Sequence, residues 1–294
     1  MSAPALGTRR PGDGAGRPAG RPRGPSGGSA AHRAASYVVL VGFAVLALGP
    51  VVTVLAAALT PERASDGGGL RPQNFAEAWV QGRFGDYMTT SALVAVVVVV
   101  AATLLSIMSG YAFGTMEFRG REVLFYLFLL GIMVPSEAVV VPLFFDLRTL
   151  GLTNTVWGIA APQVAQSVAF GTYWMRAYFR TTNRSLIEAA RLDGAGSHRV
   201  LWSVLVPIGR PAITTLVLLV FMWTWNEFLI PLVMAPAGDL RTAPLGLALF
   251  QGQYTQGTSL LAAGAVLVAL PVVVVYLFLQ RHFIRGMLEG AVRE

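Results

Sequence analysis

Residues 87–116 read YMTTSALVAVVVVVAATLLSIMSGYAFGTM, thirty positions without a charged side chain between Asp86 and Glu117. A helix needs about 20 apolar residues to cross the hydrocarbon of a bilayer, so this stretch is long enough to span it. The rest of the chain is of the same kind. Of 294 residues, 54% are apolar and only 13% charged, with a mean hydropathy of +0.61. That composition indicates an all-α, polytopic membrane protein rather than two soluble domains.

Working outward in both directions gives five more spans. A first is expected over Tyr37–Leu59, carrying Pro50, and is too long for a signal-peptide core even though Ala56-Ala57-Ala58 imitates a cleavage site. Thr60 to Asp86 is expected as a polar connector bearing Gly67-Gly68-Gly69 and Trp79. After the basic turn at Arg119 and Arg121, a third span runs over about Val123–Phe145, where Pro135, Glu137 and Pro142 predict a kink or break. A fourth, about Leu152–Met175, contains Pro162, Gln163 and Gln166, polar groups that need protein or water as partners. The fifth and sixth are expected over about Ala212–Ala235 and Ser259–Gln280. No internal repeat is evident.

Arginine sets the orientation. The chain has no lysine and no cysteine, so thiol chemistry, disulfides and a lysine-bearing phosphate-binding loop are all excluded. With both termini in the cytoplasm, 17 arginines fall on the inner side and 5 on the outer, the distribution that basic residues adopt in polytopic proteins. The net charge of +7 is therefore a record of topology, not of nucleic-acid binding. Residues 1–35, rich in Gly, Pro and Arg, are expected as a disordered cytoplasmic tail ahead of a permease-like domain over 36–294.

One long polar interval separates the fourth and fifth spans: SLIEAARLDGAGSHRVLWSVLVPIGRP, Ser185 to Pro211, within a cytoplasmic loop over 180–211. Ser185 with Glu188 fits a capping box, Gly194 suits a left-handed joint, Ser197 suits a second cap, and Pro207 is expected to end that second helix. Glu188-Ala189-Ala190, Asp193-Gly194-Ala195 and the later Pro207 and Pro211-Ala212 resemble the EAA loop of bacterial ABC importer permeases. Phe221–Phe228 (FMWTWNEF), the LGLALFQGQY run from Leu245 and the tail over 280–292 resemble the maltose-permease-like branch that imports carbohydrate.

The resemblance covers roughly residues 36–294 and implies a six-span permease fold in a bacterial cell membrane. It also implies partners: a second, homologous permease, a dimeric ABC ATPase that holds ATP and Mg, and an extracytoplasmic sugar-binding protein. On this basis no cofactor is bound by the chain itself, no metal is held and no catalysis is performed by it. Membrane lipid surrounds it and a sugar passes through it. Residue by residue, the resemblance carries ATPase coupling onto Glu188, Ala189, Ala190, Asp193 and Gly194, and a second ATPase contact onto Glu289, Gly290 and Ala291 in the tail. It likens the external loop over 236–257, with Gly246, Gln251, Gly252 and Gln253, to a finger that enters the binding protein.

Two features stand apart from the resemblance. An intramembrane carboxylate is costly enough to be a functional candidate, which makes Asn226, Glu227 and Glu137 candidates for the translocation path; a purely structural hydrogen bond is the competing role for Glu227. Trp223, Trp225, Phe221 and Phe228 could stack on sugar rings or simply pack. The competing function class is an ion-coupled secondary carrier, which predicts inverted repeats and paired charges at mid-membrane. His32, His198 and His282 lie in separate segments without metal-ligand spacing.

Overall fold

The computed structural model describes residues 30–61, 69–238, 240–253 and 257–291, with side chains described over 32–250 and 257–280 of these. Every regular element among them is helical. The chain divides at Pro50 into two units, residues 1–50 and residues 51–294. In the first, helix α1 (Ala30–Ala58) begins, and its large apolar side chains from Tyr37 to Leu48 are exposed, as on a helix whose solvent is hydrocarbon. Pro50 lies within α1 without ending it. The tail expected over 1–35 lies, up to residue 29, outside the described residues.

In the second unit the expected connector is a folded piece. Helix α2 (Gln73–Gln81) follows Pro72, whose fixed φ suits a helix start, and Asn74 is buried beneath it. Asn74 Nδ2 donates to the carbonyls of Ala58 and Thr60, 2.9 Å each, and so occupies acceptors left open at the end of α1. Arg71, just ahead of α2, pairs with Glu77 of that helix at 2.9 Å. The correction has a simple cause: one asparagine at the right register satisfies a helix end that a featureless loop would leave bare.

Helix α3 (Phe84–Thr115) realises the decisive stretch, about 48 Å long at about 1.5 Å per residue. Arg83, at φ 52, turns back to hold Asp86 through Nη2 at 2.8 Å in the first turn of the helix. Gly120, at φ 82, then reverses the chain into α4 (Arg121–Met133). The third span is broken, not merely kinked. Pro135 forces Val134 out of helical geometry, and α5 (Ser136–Thr149) leaves at 97° to α4, while Pro142 stays inside α5.

Helix α6 (Val156–Thr181) packs along α3 more extensively than any other pair in the fold. Small residues allow it. A Cβ on Gly110 would collide with Met175, one on Gly114 would meet Phe179 Cβ at 3.1 Å, and one on Gly171 would collide with Ser106, so the backbones approach closely as at Gly-x-x-x-Gly crossings in membranes. Ser109 and Thr172 hydroxyls bond across the seam at 2.6 Å.

After the polar interval, α10 (Arg210–Asn226) and α11 (Leu229–Met234) take the place of the expected fifth span, separated at Glu227-Phe228. Next come α12 (Ala243–Gln253) and α13 (Thr258–Ala291). Trp225 is buried and donates from Nε1 to the Val268 carbonyl at 3.0 Å, joining α10 to α13.

Among the described residues, α1, α3 and α13 are long and apolar enough to cross a membrane, and two bent pairs raise the number to five if each is one span. Helix α6 is long enough, at 26 residues, but Gln163, Gln166 and Arg176 dilute its apolar character. An expected count of six is compatible with these elements.

Candidate functional site

The polar interval folds as helix, joint, helix, with different caps from those expected. Asn183, not Ser185, starts α7 (Arg184–Leu192): its Oδ1 accepts the Ser185 N–H at 3.1 Å. Ser185 therefore contributes a backbone donor, and Glu188 is left exposed instead of closing a capping box. An asparagine is as good a cap as serine, and lying two residues upstream it takes the position first.

The end of α7 follows the sequence closely. Gly194 adopts φ +78, its N–H bonds the Arg191 carbonyl at 3.0 Å, and the Ala195 N–H reaches back to the Ala190 carbonyl at 2.9 Å. This pair of bonds is a Schellman motif, which closes the carbonyls that a helix end leaves open.

Helix α7 is two-faced. Ile187 is buried and Ala190 half-buried, one turn apart, where α7 lies on a π-helical stretch, Val200–Leu205. Glu188, Ala189, Asp193 and Gly194 face outward with Leu192, which is 89% exposed. The second helix starts after Gly196 as α8 (Ser197–Arg199), widens into the π-helical stretch, and ends as α9 (Val206–Ile208). Neither Ser197 nor Pro207 has its expected role: Ser197 lies inside α8, and the chain turns by 81° at Gly209, two residues beyond Pro207. A Cβ at Gly209 would lie 2.9 Å from the Leu205 carbonyl oxygen and 3.0 Å from the Tyr178 ring, so a glycine suits this turn.

The candidate path residues lie apart from that loop. Asn226 is exposed at the end of α10, with Nδ2 bonded to the Met222 carbonyl at 2.7 Å. Glu227 is half-buried, and its Oε1 accepts the Ile230 N–H at 3.0 Å, capping α11. Glu137 is exposed in the first turn of α5.

Between α5, α6 and α11 is a cleft of about 310 Å³ lined by Ser136, Val140, Pro162, Gln166 and Ile230 among others. Glu137 and Glu227 neighbour its lining through Ser136 and Ile230. The two glutamines of α6 separate here: Gln163 is buried and bonded to the Ile159 carbonyl at 3.0 Å, while Gln166 lines the cleft.

The aromatic group also divides. Trp225 is structural, whereas Trp223 is exposed and meets Phe170 edge-on at 4.8 Å. The external finger is corrected in part: Leu245, Gly246 and Phe250 are buried in α12, with Gly246 so close to Tyr87 that a Cβ would collide with its ring. The side chains of Gln251, Gly252 and Gln253, and those of Glu289, Gly290 and Ala291 near the end of α13, lie outside the described ones.

One group was missed by sequence reasoning. Arg176, counted there only as an inner-side charge, is 8% exposed inside α6. Its Nη2 pairs with Glu122 Oε2 at 2.6 Å, its Nε donates to the Phe113 carbonyl at 3.3 Å, and its guanidinium carbon lies 3.6 Å from the Phe125 ring centroid. The available signal was the helical run continuing past Met175 to Thr181, which puts an arginine inside a span.

Bent and broken apolar helices around a cleft, with a two-helix polar loop between α6 and α10, are the architecture of a polytopic membrane protein of the permease kind. The profile of the binding-protein-dependent transport system inner membrane component family matches residues 102–289. The chain belongs to that family, and it is a permease of an ABC transport system. It is 32% identical over 274 residues to the trehalose transport system permease protein SugB of Mycobacterium tuberculosis, covering 90% of this chain and 99% of that one. It is also 32% identical over 225 residues to the diacetylchitobiose uptake system permease protein NgcG of Streptomyces coelicolor, covering 76% of this chain and 74% of that one. Its fold is similar to that in the crystal structure of a bacterial ABC transporter involved in the import of alginate, with TM-score 0.73 and 23% identity over 88% of this chain and 99% of that one.

Proposed function

We propose that this permease imports a carbohydrate, with ATP hydrolysed on a separate ATPase that docks on α7. The observation that carries the coupling part is the outward face of α7. Glu188 and Ala189 are presented free of their own helix start, beside a joint whose backbone groups are satisfied internally. Small alanine and glycine surfaces permit close approach of a partner, and the exposed carboxylate offers it a charge. The carbohydrate part is supported by what relatives are named for: trehalose, diacetylchitobiose and arabinooligosaccharides. The cleft between α5, α6 and α11 is the proposed stretch of the path in this subunit, with Glu137, Asn226 and Glu227 near it. Glu289, Gly290 and Ala291 remain proposed as a second ATPase contact.

The arginine distribution supports cytoplasmic termini and a cytoplasmic α7, on the side where ATP is available. A homologous second permease, two ATPase subunits holding ATP and Mg, and an extracytoplasmic sugar-binding protein complete the proposed assembly.

The test is co-purification from the native membrane of the wild-type chain and of a Glu188→Arg, Gly194→Pro variant. An ATPase and a second permease are expected with the wild type, and the variant is expected to lose only the ATPase. A wild type that purifies with neither under mild conditions would overturn the assembly.

A further inference from the structure

We infer that Arg176 is a positioning residue that ties α4 to α6, so that displacement of the coupling loop moves the bent α4–α5 span. The transmission part rests on the reading of α7 as the ATPase contact; the tie itself does not.

Arg176 stands five residues before the end of α6, and only Thr182 and Asn183 separate that end from α7. Its guanidinium has three partners from two other elements: the Phe113 carbonyl of α3, and the Glu122 carboxylate and Phe125 ring of α4. The remaining carboxylate oxygen of Glu122 takes Arg121 Nη2 at 3.0 Å, and Arg121 Nη1 donates to the Met116 carbonyl at 3.1 Å. The α3–α4 turn and the end of α6 are thus closed into one charged network.

What makes this network decisive is the rest of α4. Val123, Leu124, Tyr126, Leu127 and Met133 are exposed, and Phe125, the ring under Arg176, is its buried residue. In a bilayer an apolar helix surface gains little by leaving lipid for protein, because lipid tails are as apolar as leucine. Helix α4 also packs through Phe128 on Phe113 of α3 and brings Gly131 close to Ala169 of α6, and the polar attachment with its ring contact to Arg176 adds the directional hold among these contacts. Arginine suits this task, since a planar fork can bond a carboxylate and a carbonyl while its face lies on an aromatic ring. Beyond the 97° bend, α5 carries the Ser136 side of the cleft, so a tie on α4 reaches the proposed path.

The experiment uses the chain's lack of cysteine. Leu124→Cys on α4 and Ala177→Cys on α6, both exposed positions, take spin labels without background, and the complex is co-purified and reconstituted in proteoliposomes. In the wild type one narrow interlabel distance is expected, the same with and without trapped ATP. Arg176→Met is expected to broaden that distribution and to lower substrate taken up per ATP hydrolysed at least tenfold, with the ATPase still co-purifying. Arg176→Lys, which keeps the charge without the fork, is expected between the two, and it carries the test should the Met variant not assemble.

An unchanged distance distribution in the variants overturns the tie. An unchanged uptake per ATP, with a broadened distance, overturns the transmission role. A wild-type preparation that has no ATPase overturns the importer reading instead, and the distance measurement on the chain alone still decides the tie.

Discussion

Gly194 offers a graded test of the proposed coupling loop, because its surroundings separate conformational from steric effects. A Cβ added there meets nothing within 4 Å, so substitution is limited by φ +78 alone. An L-residue held in left-handed geometry costs about 1–2 kcal/mol, with asparagine among the residues that tolerate it best. Gly194→Ala is therefore expected to shift the ratio of formed to unformed joint by about 5–30-fold, and Gly194→Asn by less. Gly194→Pro cannot reach positive φ and removes the N–H bonded to the Arg191 carbonyl, so it should abolish the joint. ATPase rate and substrate uptake, measured together in proteoliposomes, should then lose coupling in the order Asn, Ala, Pro, while thermal unfolding of the membrane-spanning part is unchanged. If Asn proved worse than Ala, the limit would be space against a docked partner rather than backbone geometry, and the argument from φ would fail. Wild-type coupling in the Pro variant would remove the joint from the mechanism.

Three further outcomes follow from the described contacts. Asn183→Ala should destabilise α7 by about 1 kcal/mol, seen as faster amide exchange over Arg184–Leu192, whereas Ser185→Ala should leave exchange as it is; equal effects would restore Ser185 as the cap. Gly110→Ala pushes a methyl into Met175 at the α3–α6 seam and should destabilise the permease by about 1–3 kcal/mol, lowering Tm in detergent; an unchanged Tm would show that the helices separate freely. Glu227→Gln keeps an oxygen to accept the Ile230 N–H, so uptake should persist if capping is its task, and a loss of uptake at normal protein levels would assign the charge to the path.

The spans were legible because hydrocarbon imposes a length on apolar runs, and Tyr87–Met116 needs no tertiary information to be recognised. The turn at Gly194 was legible for a similar reason, since its left-handed conformation favours glycine. What depended on partners distant in sequence was not. Asn74 folds the segment after α1 against carbonyls 14 and 16 residues earlier, and nothing local to Gln73–Gln81 announces them. Arg176 reaches Glu122, 54 residues away, so its sequence neighbourhood shows a charge but not its counter-charge. Competing local signals account for the remaining errors. Asn183, Ser185 and Ser197 are all capable caps, and only the backbone conformation reveals which one is used. In the same way Pro135 breaks its span while Pro142 does not: Val134, before Pro135, is extended, whereas the residue before Pro142 stays helical. The path candidates Glu137 and Glu227 were proposed as unusual intramembrane carboxylates, with Asn226 beside them, yet the cleft near them is lined by Gln166, a residue whose twin at 163 is spent on its own helix.

The internally closed end of α7 also bears on the order in which a complex can be built. Since the carbonyls at the joint are already bonded within the chain, the loop does not need a partner to acquire its shape, and docking need not supply the free energy of ordering it. A permease inserted early can wait with its docking face ready. On the proposed docking at α7, a partner would meet a face already shaped, so that binding would not wait on folding of the loop.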